Sequence, residues 1–174
     1  SSLVTGVQTC ALPIYFARKT KVQQLMHNLK YRGQKDIGTY LGRWMGAQLA
    51  DNEYFSKIDV VLPVPLHKRK LKSRGYNQVE NFARELAWSL NAEYIDDVLV
   101  KRTASATQTL KERLARWGEI DANFEIENSE KLQHKKVLLA DDIITTGATL
   151  EACGNKLNQI PGLELSLATM AITD

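Results

Sequence analysis

Between residues 19 and 31 the apolar residues Val22, Leu25, Met26 and Leu29 recur at intervals of three and four. That spacing lines one face of an α-helix, and Gly33 supplies a stop. Leu41, Met45 and Leu49 continue the period and predict a second helix over about 37–49. The pattern then changes to a short β-branched run over 58–62, ended by Pro63 and Pro65, as expected of a buried strand feeding a loop. A polar, basic stretch over 67–75 predicts a loop, after which Val79, Phe82, Ala83, Leu86, Ala87 and Leu90 mark a long helix. Residues 98–100 predict a strand, 101–118 a polar loop, and 124–126 a short strand. Residues 136–140 are apolar at every position after the first and predict a strong strand. A helix over 149–157, a stop at Pro161-Gly162 and a strand over 163–172 close the chain.

Strands alternating with helices predict an α/β fold, a mainly parallel central sheet with helices on both faces. The 174 residues fit one domain over 15–174, with a helical N-terminal part at 15–52 and a core at 53–174. Charged residues at 25% and hydrophobic ones at 44% are ordinary for a globular protein and exclude a disordered class. No apolar run is long enough to cross a bilayer, so membrane insertion is not expected. A net charge of +3 does not by itself announce a nucleic-acid partner. Cys10 and Cys153 give neither a disulfide framework nor C-x-x-C spacing, which points to a reducing, cytoplasmic setting. Residues 1–14 carry no charge and no clear period, lack the basic start of a signal peptide, and resemble translated adapter read-through. They are expected to be non-native or disordered.

The chemistry concentrates after the strand at 136–140. Asp141 and Asp142 place two carboxylates at its end, and Thr145, Thr146, Gly147, Ala148 and Thr149 follow as a small, hydroxyl-rich loop opening a helix. Free N–H groups and the dipole at a helix start favour a phosphate, and Gly147 lets the backbone approach it. Paired carboxylates suit the cis-diol of a ribose. Beside a polyphosphate they demand a cation, which makes Mg²⁺ the expected cofactor, held by Asp141 and Asp142 through the ligand or through water. There is neither a Walker loop nor a G-x-G-x-x-G fingerprint.

Apolar strand, two acids and Thr-Thr-Gly-Ala-Thr together resemble the phosphoribosyl pyrophosphate (PRPP) motif of type I phosphoribosyltransferases. The second constellation is Pro63-Val64-Pro65-Leu66-His67 followed by Arg74-Gly75-Tyr76-Asn77-Gln78. A basic run is ordinarily a solvated face, but joined to the acid pair this one closely resembles the competence protein F family, phosphoribosyltransferase-like proteins associated with DNA uptake. Leu29-Lys30-Tyr31-Arg32-Gly33 and the segment Gln108-Thr109, Glu112-Arg113, Arg116-Trp117 resemble that family too. The likeness covers about 19–174. Two departures stand out: many members begin with a four-cysteine zinc module of which nothing is retained, and Gly118-Glu119 stands where an asparagine is expected.

The resemblance implies displacement of pyrophosphate from C1 of PRPP by an unidentified nitrogen acceptor, a step that depends on positioning and charge stabilisation. Asp141 and Asp142 would hold the ribose diol and 145–149 the 5′-phosphate. Pro65, Leu66, His67, Lys68 and Arg74 would hold the pyrophosphate, with Arg74, Asp141 and Asp142 acting in the reaction. Arg113 and Arg116 are candidates to reach in from a mobile loop at 101–117, although they equally fit an exposed helix face. Two other readings stay open, a PRPP-responsive regulatory module without turnover and a DNA-uptake factor. Direct nucleic-acid contact through 68–74 is the least expected, and a homodimer through the first two helices competes with their packing on the sheet.

Overall fold

The structure, a computed structural model, describes residues 8–11, 21–102 and 124–172. Its elements in chain order are β1 (Gln8–Ala11), α1 (Lys21–Tyr31), α2 (Asp36–Ala50), β2 (Val60–Pro63), α3 (Lys68–Arg74) and α4 (Glu80–Ser89). There follow β3 (Glu93–Tyr94), β4 (Leu99–Lys101), β5 (Phe124–Ile126), β6 (Lys136–Ile144), α5 (Ala148–Leu157) and β7 (Glu164–Ile172). Strands β1, β7, β6, β2 and β3 form the central sheet in that order, and every pairing in it is parallel.

Side chains of successive strand residues point to opposite faces, so a strand buried on both sides supplies two cores. Strand β6 does this. Leu138 and Ala140 join Met26 and Leu29 of α1, Leu41 and Met45 of α2, and Phe82 and Leu86 of α4 on one face. Val137 and Leu139 meet Leu150, Cys153 and Leu157 of α5 on the other. The α/β architecture with helices on both faces is therefore as the hydrophobic pattern predicts, and the apolar stripes of α1 and α2 are spent on the core.

Four local expectations are corrected. Residues 67–75 are not a loop, because Lys68–Arg74 form α3. None of its side chains is buried, so no apolar period could announce it; the His67 side chain caps its start and Gly75, at φ 78°, ends it. The strand at 98–100 lies one residue later and outside the central sheet, where β4 pairs antiparallel with β5. Strand β6 runs beyond Ala140 through both acids to Ile144, because the ladder with β7 continues at Asp141 opposite Thr169 and Ile143 opposite Ala171. The two-residue β3, too short to show a period, was not expected. Within residues 1–14, the backbone of Gln8–Ala11 lies as the edge strand beside β7.

The contact between α2 and α4 is set by glycine. Gly38, Gly42 and Gly46 recur every fourth residue, one stripe of α2, and let its backbone lie close to α4. A Cβ at Gly42 would stand 2.7 Å from Glu85 Cβ and 2.8 Å from the Phe82 carbonyl oxygen, neither of which can swing away. Gly42→Ala is therefore expected to destabilise by up to about 2 kcal/mol net, overpacking of about 1–3 kcal/mol offsetting the helix-propensity gain of about 1 kcal/mol. Urea unfolding measures it, and an unchanged or raised midpoint would contradict this packing.

Candidate functional site

The site forms at the carboxyl ends of β2 and β6, where an open parallel sheet leaves a crevice. Val64 N–H donates to the Ala140 carbonyl at 2.8 Å, which carries the ladder one residue past β2 and sets the turn at Pro65-Leu66 beside the acids. After β6 the chain bends at Thr145 and Thr146, both exposed, and enters α5 through Gly147 at φ 80°. That left-handed value favours glycine. Thr146 Oγ1 accepts from Ala148 N–H at 3.4 Å, while Ala148 and Thr149 occupy the first helical turn and not a loop. Five small residues thus present hydroxyls and N–H groups at a helix start, the arrangement that receives a phosphate.

Asp141 and Asp142 are both buried, at 8% and 5% exposure. Asp141 Oδ1 accepts from Asp142 N–H at 2.8 Å. Burial, and then the neighbouring Asp142 charge, push the Asp141 carboxyl up from the usual carboxylate range to about 7, against a smaller opposing pull from Lys30. Asp142 Oδ2 accepts from Gln78 Nε2 at 3.0 Å and pairs with Lys30 Nζ at 2.8 Å. Gln78 Oε1 in turn accepts from Arg74 Nη1 at 2.7 Å, and the Arg74 guanidinium lies 5.0 Å over the Tyr31 ring. One chain of contacts therefore runs from α1 through Asp142 and Gln78 to the end of α3.

The run 74–78 has a structural task at each position. Arg74 holds Gln78, and Gly75 closes α3. The buried Tyr76 donates its hydroxyl to the Leu29 carbonyl, one of the orphan acceptors at the end of α1. Asn77 Nδ2 donates to the Val64 carbonyl at 3.0 Å and its Oδ1 accepts from Val79 N–H at 3.2 Å, clamping the turn after β2 to the start of α4. Gln78 reaches the acid.

Sequence reasoning missed Lys30 as a partner of Asp142, although it stands in the Leu-Lys-Tyr-Arg-Gly run already singled out. It also missed that Gln78 touches the acid pair. Of the other candidates, Pro65, Leu66 and His67 are half-buried and Lys68 is exposed. His67 Nδ1 accepts from Arg69 N–H at 3.1 Å. Arg113 and Arg116 lie outside the described residues. Cys153 lies on the buried face of α5, and burial, with the Asp141 charge, pushes its thiol up, which leaves it unsuited to act as a thiolate.

No group of three or more His, Cys, Asp or Glu side chains able to hold a metal occurs among the described residues. The acid pair fits a divalent cation only as a partial ligand set, shared with oxygens that a polyphosphate would bring. No described helix is long and apolar enough to cross a membrane.

The architecture resembles the type I phosphoribosyltransferase fold. Among solved structures, glutamine phosphoribosylpyrophosphate amidotransferase from B. subtilis, complexed with ADP and GMP, matches with a TM-score of 0.50 at 15% identity, over 81% of this chain and 30% of that one. Within that fold the chain is homologous to the competence protein F and YhgH proteins. It is 24% identical to competence protein F of Haemophilus influenzae over 84% of its own length and 66% of the relative's. It is 25% identical to the DNA utilization protein YhgH of Escherichia coli O157:H7 over 72% of its own length and 56% of the relative's. With competence protein ComFC of Streptococcus pneumoniae it shares 38% identity over 50% of this chain and 36% of that protein. The chain thus spans about half the length of the curated relatives it matches. No protein-family model matches it.

Proposed function

We propose that this chain is a PRPP-binding module that serves DNA uptake or utilization. The observation that carries the reading is the buried Asp141–Asp142 pair near the carboxyl end of β6, followed after Ile143 and Ile144 by the small, hydroxyl-bearing turn at the start of α5. Asp141 and Asp142 would accept from the ribose hydroxyls, 145–149 would take the 5′-phosphate, and Pro65, Leu66, His67, Lys68 and Arg74 would face the pyrophosphate. Mg²⁺ would enter with PRPP as part of the ligand, bridging its oxygens to the acid pair directly or through water. The names of the relatives support the DNA-handling role, and the homology supports it over a housekeeping nucleotide enzyme.

Lys30 gives the regulatory reading a physical basis. It ties the acid pair to α1 at 2.8 Å, so a change at the site has a direct line to the N-terminal helices. A second reading, turnover, is favoured by a cavity between the end of α1 and α3 whose lining includes Lys30, the partner of Asp142. In it the nitrogen of the acceptor attacks C1 of the ribose, the C1–O bond to pyrophosphate breaks, and pyrophosphate leaves with that electron pair. Pyrophosphate release from PRPP across a panel of nitrogen acceptors separates the two. The regulatory reading expects no acceptor-dependent release by protein that binds PRPP, and release with any single acceptor would replace it with the transferase reading.

A further inference from the structure

We infer that the basic surface made by α3 and the end of α1 docks on an anionic lipid bilayer. The charge of the chain is unevenly divided. Residues 21–35 and 64–79 hold 9 of the 23 Lys and Arg and none of the 20 Asp and Glu, which leaves 14 cations against 20 acids in the remainder. The net charge of +3 therefore conceals two runs at +9 and a remainder at −6, a division that orients the protein before an anionic surface. The fold joins the two runs, since Lys30 and Tyr31 line one cavity with Lys70, Ser73 and Arg74. Arg32, Lys35, Lys68, Arg69, Lys70 and Lys72 are exposed and make no ion pair among the described residues.

Charge alone suits any polyanion; the apolar side chains select the bilayer. Helix α3 buries none of its side chains, and Leu71, between Lys70 and Lys72, is 42% exposed. Tyr31 is 65% exposed on the same surface, with the Arg74 guanidinium 5.0 Å over its ring. A polynucleotide would give the cations their phosphates but leave Leu71 in water, and Arg74 already covers one face of the ring on which a base would stack. A bilayer takes all three kinds of side chain: Lys and Arg at the anionic headgroups, Tyr at the headgroup level and Leu at the acyl boundary. With seven residues α3 is too short to cross, so attachment is peripheral, reversible and weakened by salt. Lys68 and Arg74 also serve the proposed pyrophosphate position, but docking does not rest on PRPP binding.

Co-sedimentation of the full chain, without PRPP, tests it with vesicles of phosphatidylcholine alone and of equal parts phosphatidylcholine and phosphatidylglycerol. Binding to the anionic vesicles tenfold or more tighter than to the neutral ones, and lost at high salt, is expected. Arg69→Glu/Lys72→Glu, at positions that belong neither to the proposed PRPP contacts nor to the cavity lining, is expected to weaken that binding tenfold or more. Leu71→Ser is expected to weaken it threefold or more while leaving the binding of a single-stranded oligonucleotide within twofold. Because α3 buries no side chain, both variants are expected to melt with the wild-type protein. Failure of folded wild-type protein to prefer the anionic vesicles overturns the proposal, as does wild-type affinity for them in either variant. Tighter binding of the oligonucleotide than of the vesicles at equal phosphate concentration would equally overturn it and make this face a nucleic-acid surface.

Discussion

Asp141→Asn is expected to make the protein more stable at pH 8 while weakening its binding of PRPP a hundredfold or more. Asp141 is buried beside a second carboxylate, and its folded-state carboxyl titrates near 7 instead of in the usual range. A carboxyl raised in this way favours folding while protonated. Its contribution is fully present below the unfolded value of about 4 and is lost as pH rises through about 7. At pH 8 the native state carries an ionised, desolvated acid; asparagine keeps the shape and the acceptor oxygen that Asp142 N–H uses, without the charge. The gain at pH 8 is on the order of 2 kcal/mol, or roughly 4–8 °C in Tm for a chain of this size, and shrinks towards pH 4. The loss of binding follows because an amide accepts more weakly from a diol and cannot share a cation. Binding by wild-type protein should correspondingly strengthen between pH 6 and 8, and the variant should lack the Asp141 part of that rise. Melting curves at pH 5 and 8 with parallel PRPP titrations measure both, and a variant less stable than wild type at pH 8 would contradict this electrostatic account.

Lys30→Met is expected to have the opposite effect on stability and the same direction of effect on binding. Lys30 Nζ is the cation on the buried Asp142, with side-chain exposures of 22% and 7%, and its loss leaves that carboxylate with Gln78 alone. Breaking a buried pair by removing one partner costs about 3–5 kcal/mol; the partial exposure of Lys30 reduces this to about 2 kcal/mol. Because Lys30 also pulls the Asp141 carboxyl down, its removal moves that titration higher and shifts the pH at which PRPP binds upward. The destabilisation should be larger at pH 8 than at pH 5, where protonation relieves the pair. Chemical denaturation at the two pH values checks the sign, and equal losses would show that Lys30 acts by packing alone.

Most of the architecture was legible because β6, β2, α4 and α5 bury residues at periods that survive in the sequence. The illegible parts have physical reasons. Helix α3 buries nothing, so it carries no period, and its polar run reads as a loop. Strand β6 looks finished at Ala140 because acids rarely occupy a buried ladder; here Lys30 and Gln78 satisfy Asp142 and burial raises Asp141. The acid pair and Gly147 were readable because their types and spacing are local. Lys30 was not, since its contact with Asp142 spans more than a hundred residues and nothing in the lysine itself marks a partner. The glycine stripe of α2 was present at fixed spacing, yet only the backbone of α4 explains it.

The proposed PRPP site lies at the end of β6 and the start of α5. Titration of PRPP into the protein by calorimetry at pH 8, with Mg²⁺ and with chelator, tests it most directly, with Asp141→Asn/Asp142→Asn as the comparison. Saturable binding that needs Mg²⁺ and disappears in the double variant is expected. Folded wild-type protein that binds no PRPP, or binds it equally after both acids are neutralised, would contradict it.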